Sequence, residues 1–431
     1  MKTPNLNLQA TELNKVIKNQ NPAIFELLSE KGRAIYFPKD GILAQTAEAK
    51  GTKINATIGV ALKDDMVPFA LSSISNKILL DPKDIFPYAP SFGKPELRSA
   101  WLEQIKKKNP SLNTRTSTPI VTNAVTHALN ILGYLFINKG DIIISPDKFW
   151  GNYRLIFENG YGGVLTTFNM FKNEGFDTGS FKDCLNSIRS NKITILLNFP
   201  NNPTGYTPTE KEAEKIILII KKMAEKCKKI LVICDDAYFG LIFEKDIITQ
   251  SLFPYLAGLH QNILVVKADG ATKEEYVWGF LVGFITYASD GITEDTCKAL
   301  ESKTAGAIRG SISNASHLSQ SLVLQALSSS SYHKDKRENF LLLKKRYEKV
   351  KEVLKNRKYS KYFSPLPYNS GYFMCIELKS DLNAENIRQK LLKEYDTGVI
   401  AVKNLLRIAF SSVAEKNIPQ LFENILSACR N

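Results

Sequence analysis

The stretch KADGATKEEYVWGFLVGF, residues 267 to 284, decides how the chain is read. An apolar run leads into it, a glycine turns it, and Lys273 follows, with Gly279 six and Gly283 ten residues further on. Open α/β sheets bind ligands at the carboxyl ends of their strands, where such a lysine would stand. Lys267 lies within the strand and Lys273 beyond the turn, so Lys273 is the candidate for covalent chemistry. Leu281, between the two glycines, occupies a position where that chemistry asks for a positive charge.

Outward from this stretch, short β-branched runs alternate with longer helical ones, the pattern of an α/β sheet. Strands are expected over 118–122, 141–146, 193–199, 229–235, 262–268 and 280–287, and near the end over 370–378 and 405–412. Residues 207–227 predict a helix, with Thr207 as N-cap, Pro208 at the first helical position and Glu210 completing a capping box. The region after about 318 reads as helix, strand and helix. The expected architecture is a large domain over 86–314, with a mostly parallel central sheet flanked by helices. A smaller α/β domain comes from both termini, with 1–85 as N-terminal arm and part of it and 315–431 as the rest.

Composition narrows the function classes. The 44% hydrophobic and 23% charged residues are ordinary for a globular chain. Six cysteines without a CxxC pair and four dispersed histidines point to neither a disulfide framework nor a metal site. The net charge of +14 comes from lysines mixed with glutamates, as in LLLKKRYEKVKEVLKNRK (341–358), which describes solvated helix faces rather than a nucleic-acid stripe. No run nears the roughly 20 apolar residues of a membrane span, and MKTPNLNLQATELN lacks the apolar core of a secretory leader. A cytoplasmic protein with small-molecule partners is expected.

The polar residues after the strands form a set. VTNAVTHALN (121–130) opens a helix whose free N–H groups, with Val125 and the Thr126 hydroxyl, suit a phosphate. DKFWGNY (147–153) offers Trp150 as a stacking ring, and NFPNNPTG (198–205) builds a rigid turn presenting the Asn202 amide. ICDDAYFG (233–240) places Asp235 at a strand end with Tyr238 three residues on, and Arg407 sits inside an apolar strand. Buried charges of this kind need partners. A lysine, a carboxylate, a ring shelf, phenol and amide donors and a phosphate cradle together suit pyridoxal phosphate. Lys273 would bind it covalently and shuttle a proton, and Asp235 would keep the ring nitrogen protonated. Tyr238 and Asn202 would hold the ring oxygen, and Arg407 would fork onto the substrate carboxylate.

From INATIGVALKDD (54–65) to LLRIAFSS (405–412), the chain resembles the pyridoxal-phosphate-dependent aminotransferases of class I/II, fold type I. NNPTG, DDAY and the lysine with its two glycines carry the resemblance. It implies that Tyr88, in YAPSFGKPELRSA (88–100), reaches a neighbouring subunit's phosphate in a homodimer, and that the Gly59 backbone lies near the substrate carboxylate. WGNY and IRGSISN (308–314) are similar to the aspartate and aromatic aminotransferase branch. That similarity gives Arg309 the distal carboxylate of a dicarboxylic substrate, although the usual two prolines after Ser-Asn are Ala315 and Ser316 here. The family usually has a hydroxyl residue two before the lysine, here Ala271, and a phosphate-gripping arginine eight after it, here Leu281. Losing a charge-assisted hydrogen bond of roughly 1.5–3 kcal/mol would weaken cofactor affinity about ten- to a hundredfold. The expected function is amino-group transfer between an amino acid and a 2-oxo acid, with glutamate/2-oxoglutarate or another dicarboxylate as one pair. A β-eliminating lyase on the same scaffold, or a degenerate binding protein, are the alternatives.

Overall fold

The computed structural model describes residues 6–20, 22–35, 41–75, 80–226 and 228–430. Cys227, where the expected helix ends, and the first five residues lie outside them.

Seven strands form the main sheet: β1 (Ile120–Asn123), β2 (Ile142–Pro146), β3 (Val164–Phe168), β4 (Lys192–Asn198), β5 (Lys229–Asp235), β6 (Ile263–Gly270) and β7 (Val282–Ala288). Their order is β1-β7-β6-β5-β4-β2-β3, parallel except for β7, which runs antiparallel to both neighbours. Alternate residues feed two apolar clusters on opposite faces, as strand periodicity requires. Leu231, Ile233 and Val266 enter one cluster; Ile230, Val232, Ile263 and Val265 enter the other. Strands buried on both faces read as the continuous apolar runs seen in the sequence. β3, in VLTTF, was not among the expected strands.

Several boundaries differ from expectation. The strand expected over 118–122 runs Ile120–Asn123, and the one expected over 405–412 ends at Ile408 because Phe410–Ser412 is a 3-10 turn. Three more have a traceable reason. The helix expected from Thr207 runs Glu210–Glu225, capped by Thr209 with Glu212 as reciprocal partner. Thr207 instead serves another segment, its N–H donating to Asn369 Oδ1 at 2.8 Å and its hydroxyl lying 2.7 Å from that of Ser370. The last sheet strand starts at Val282 rather than 280, because Trp278–Phe280 is a 3-10 turn and Leu281 takes φ +52°. The strand expected from 370 starts at Met374, because residues 369–371 are held in a loop against Gly205 and Leu241.

A second, antiparallel sheet has the order β8-β9-β11-β10, with β8 Phe363–Pro365, β9 Met374–Leu378, β10 Ile400–Val402 and β11 Leu405–Ile408. Residues from before the main sheet join this region, since Ile54–Asn55 pairs with Thr397–Gly398. Among the described residues no helix is long and apolar enough to cross a membrane.

Candidate active site

Lys273 lies on the single helical turn Ala271–Glu274, directly after β6. The Tyr372 hydroxyl donates to its carbonyl at 2.8 Å, and its Nζ stands 5.4 Å from the centre of the Tyr238 ring. Desolvation lowers the pKa of its amine, against the pull of nearby Asp235. Glu274 and Glu275 follow, and two lysines compensate them. Lys108 reaches Glu274 at 2.8 Å, and Lys336 reaches both glutamates at 2.9 Å. Glu274 accordingly sits at about 2, held down by Lys108 and Lys336 against the opposing effect of burial.

Asp235 ends β5, with its carboxylate accepting from Tyr153 Oη at 2.5 Å and from Ala237 N–H at 3.2 Å. Burial pushes it up to about 6, opposed by Tyr153, Ala237 and Lys273. Asp236 and Lys267 are a separate system. They form a buried ion pair, with Asp269 3.6 Å from the same amine. Lys267 shares strand parity with Ile263 and Val265, whereas Asp235 shares it with Leu231 and Ile233, so the two occupy opposite faces of the sheet.

Arg407 projects from β11 and is buried at 3% exposure. Its guanidinium donates to Asn202 Oδ1 at 3.3 Å and to the Thr57 carbonyl at 2.9 Å, and lies 4.4 Å from the centre of the Phe373 ring. Its Nε has no partner, and no carboxylate pairs with it among the described residues. Asn202 is fixed in turn by its own N–H, which donates to Asn198 Oδ1 at 2.7 Å. Gly59 belongs to the same group, since a Cβ there would come within 3.1 Å of Phe373 and 3.9 Å of the Tyr238 hydroxyl.

The helix Ala124–Phe136 begins straight after β1 without a side-chain cap, so its first N–H groups lack intrahelical partners. Val125 is buried and Thr126 exposed in this first turn. Gly283 has a steric reason to be glycine, because a Cβ would meet the Ala124 backbone at 2.5 Å. Thr272, beside Lys273, carries a buried hydroxyl without a partner. Trp150 is half-buried and meets Tyr153 edge-on at 5.8 Å.

The structure thus brings together Lys273, Asp235, Tyr238, Asn202, Arg407 and Gly59, with Trp150 joined through Tyr153. Tyr88, at 89% exposure, and Arg309 are exposed and make no hydrogen bond or ion pair with this group among the described residues; Arg309 donates to Ser313 Oγ at 2.8 Å. Tyr153 and Phe373 were not foreseen as site residues. Tyr153 had a signal, three positions after Trp150 in WGNY; Phe373 had none beyond its place in an apolar strand.

The family description "Aminotransferase class I and II" matches residues 53–425, and the chain belongs to that family. It is 31% identical over 160 residues to a probable aspartate/prephenate aminotransferase of Aquifex aeolicus; the match spans 36% of this chain and only 38% of the relative. It is 24% identical to a probable N-acetyl-LL-diaminopimelate aminotransferase of Bacillus subtilis, over 76% of this chain and 75% of that one. An aminotransferase structure from Anaerococcus prevotii superposes with a TM-score of 0.82 at 25% identity, covering 92% and 97% of the two chains. Members of this family depend on pyridoxal 5'-phosphate. The residues present fit that cofactor: a desolvated lysine, a buried carboxylate for the ring nitrogen, an uncapped helix start, and an unpartnered Thr272 hydroxyl.

Proposed function

We propose that the chain is an aminotransferase, moving an amino group between an amino acid and a 2-oxo acid. The observation that carries this reading is Arg407: a buried guanidinium without a carboxylate partner, lying on the Phe373 ring, which packs edge-on to Tyr238 beside Lys273. An isolated buried cation is costly, and a substrate carboxylate supplies the missing charge. Pyridoxal phosphate, when bound, would supply an electron sink for the substrate Cα. Lys273 Nζ, its pKa lowered by burial, would take the proton from that carbon and return it on the other side of the transfer. Asp235 would keep the ring nitrogen charged, while Tyr238 and Asn202 would donate to the ring oxygen. Thr126, Val125 and the other helix-start amides would hold the phosphate, and Trp150 would stack on the ring.

Aspartate, a dicarboxylic amino acid, stands in the names of two relatives and supports a dicarboxylate as one substrate; glutamate/2-oxoglutarate is the pair we propose. The exposure of Tyr88 and Arg309 supports a homodimer in which both serve the partner's site. The domain limits at 85 and 314 and a cytoplasmic setting belong to the same reading. To test it, the purified protein is mixed with pyridoxal phosphate, reduced with borohydride, and digested for mass spectrometry. The label is expected on Lys273 and lost in Lys273→Ala; a label that survives the substitution would overturn the assignment. Release of ammonia and a keto acid without an acceptor would identify a lyase instead.

A further inference from the structure

Tyr153 opens the π-helical stretch Arg154–Asn159, a distortion that often accompanies function. Its side chain is 1% exposed and held among Phe149 at 6.3 Å, Trp150 at 5.8 Å and Phe157 at 6.4 Å between ring centres. A phenol has one proton to donate, and here it is committed to Asp235 Oδ2 at 2.5 Å. Burial, reinforced by Asp235, pushes the phenol's own pKa upward, so it stays a donor. The Ala237 N–H takes Oδ1, so the carboxylate is gripped from two directions.

We propose that Tyr153 is a positioning residue for the reaction, holding Asp235 charged and turned towards the cofactor's ring nitrogen. This role rests on the aminotransferase reading above. Three titratable groups face Asp235: Tyr153 from the π-helical stretch, Lys273 from the turn after β6, and Tyr238 from beyond its own strand end; Asp236 and Cys234, its chain neighbours, act on it from the other side of the sheet. Lys267 pairs with Asp236 on the face of the sheet opposite Asp235. Of the influences that oppose burial at Asp235, the hydrogen bond from Tyr153 is the largest. The carboxyl already titrates above the ordinary aspartate range, so losing this donor moves it higher still. Any step that needs ionised Asp235 then loses its acid side at a higher pH.

The test is Tyr153→Phe, which keeps the ring and its packing. In the cofactor-free full chain, the infrared band of the protonated carboxyl is titrated and assigned by its loss in Asp235→Asn. Its midpoint is expected to rise by about one pH unit or more, the size of a charge-assisted hydrogen bond. In the loaded enzyme the acid limb of kcat/KM is expected to move the same way. Tyr153→His, which restores a donor, should bring it part of the way back, and in an Asp235→Asn background Tyr153→Phe should move nothing. An unmoved midpoint with a lowered Tm would show that Tyr153 only packs. Failure of the unaltered chain to take up pyridoxal phosphate would overturn the aminotransferase reading and this role together, whereas normal uptake with an unmoved midpoint overturns the role alone.

Discussion

Leu281 takes a left-handed backbone at φ +52° and remains 43% exposed, immediately before the strand whose Gly283 lies against the helix start. An arginine there would add a charge to the proposed cradle, whose members are neutral: the helix-start amides, Thr126 and the unpartnered Thr272 hydroxyl. Leu281→Arg is expected to lower the Kd for pyridoxal phosphate about ten- to a hundredfold, the value of one charge-assisted hydrogen bond. Titration of cofactor-free protein by absorbance measures this, and an unchanged Kd would mean the phosphate is held elsewhere. Single residues differed in how legible they were. Lys273 was marked by its glycine spacing; of those two glycines Gly283 meets a backbone constraint, since a Cβ there would lie 2.5 Å from the Ala124 backbone, whereas Gly279 has open space around it. Tyr153 could not be assigned, because its value lies in one hydrogen bond to a residue 82 positions away.

Among the elements, the helix Glu210–Glu225 shows how far local chemistry reaches. TPTEKE contains two threonines, each with a glutamate three residues on, so two capping registers are available. Contacts outside the helix decide between them: Asn369 and Ser370 engage Thr207 and leave Thr209 to pair with Glu212. Thr209→Ala is expected to destabilise the protein by about 0.5–2 kcal/mol, read as a fall of a few degrees in Tm. No measurable fall would mean that tertiary contacts alone hold this helix end. The turn at Asn201–Gly205 is coupled across sheets in the same way. Gly205 has φ +71°, and a Cβ there would lie 1.9 Å from the Phe373 carbonyl.

Across the whole molecule, the candidate site lies where the two sheets meet. The main sheet presents Asp235 and Lys273, and the smaller one presents Arg407 on β11. Lys108 and Lys336 converge on Glu274 and Glu275, tying the lysine-bearing turn to the helices Pro95–Lys108 and Tyr332–Leu354. One chain leaves Tyr88 and Arg309 on its surface, so their proposed roles need a second copy. Arg309→Ala is expected to raise KM for a dicarboxylic oxo acid about tenfold or more, with a monocarboxylic one unchanged. Steady-state kinetics on the two acids decides it, and an equal effect on both would remove Arg309 from substrate recognition.

The sequence by itself determined the alternation of strands and helices, the turn motifs, and which charged residues stand at strand ends. These are local properties, set by side-chain period, glycine and proline geometry, and the cost of placing charge in apolar runs. Only the tertiary structure decided which threonine caps, which face of the sheet each charge occupies, and which buried groups meet. Lys267 and Asp235 lie at opposed strand parities, and Arg407 finds Asn202 from another sheet, 205 positions away. Such pairings depend on how the strands pack side by side and sheet against sheet, which no local spacing encodes.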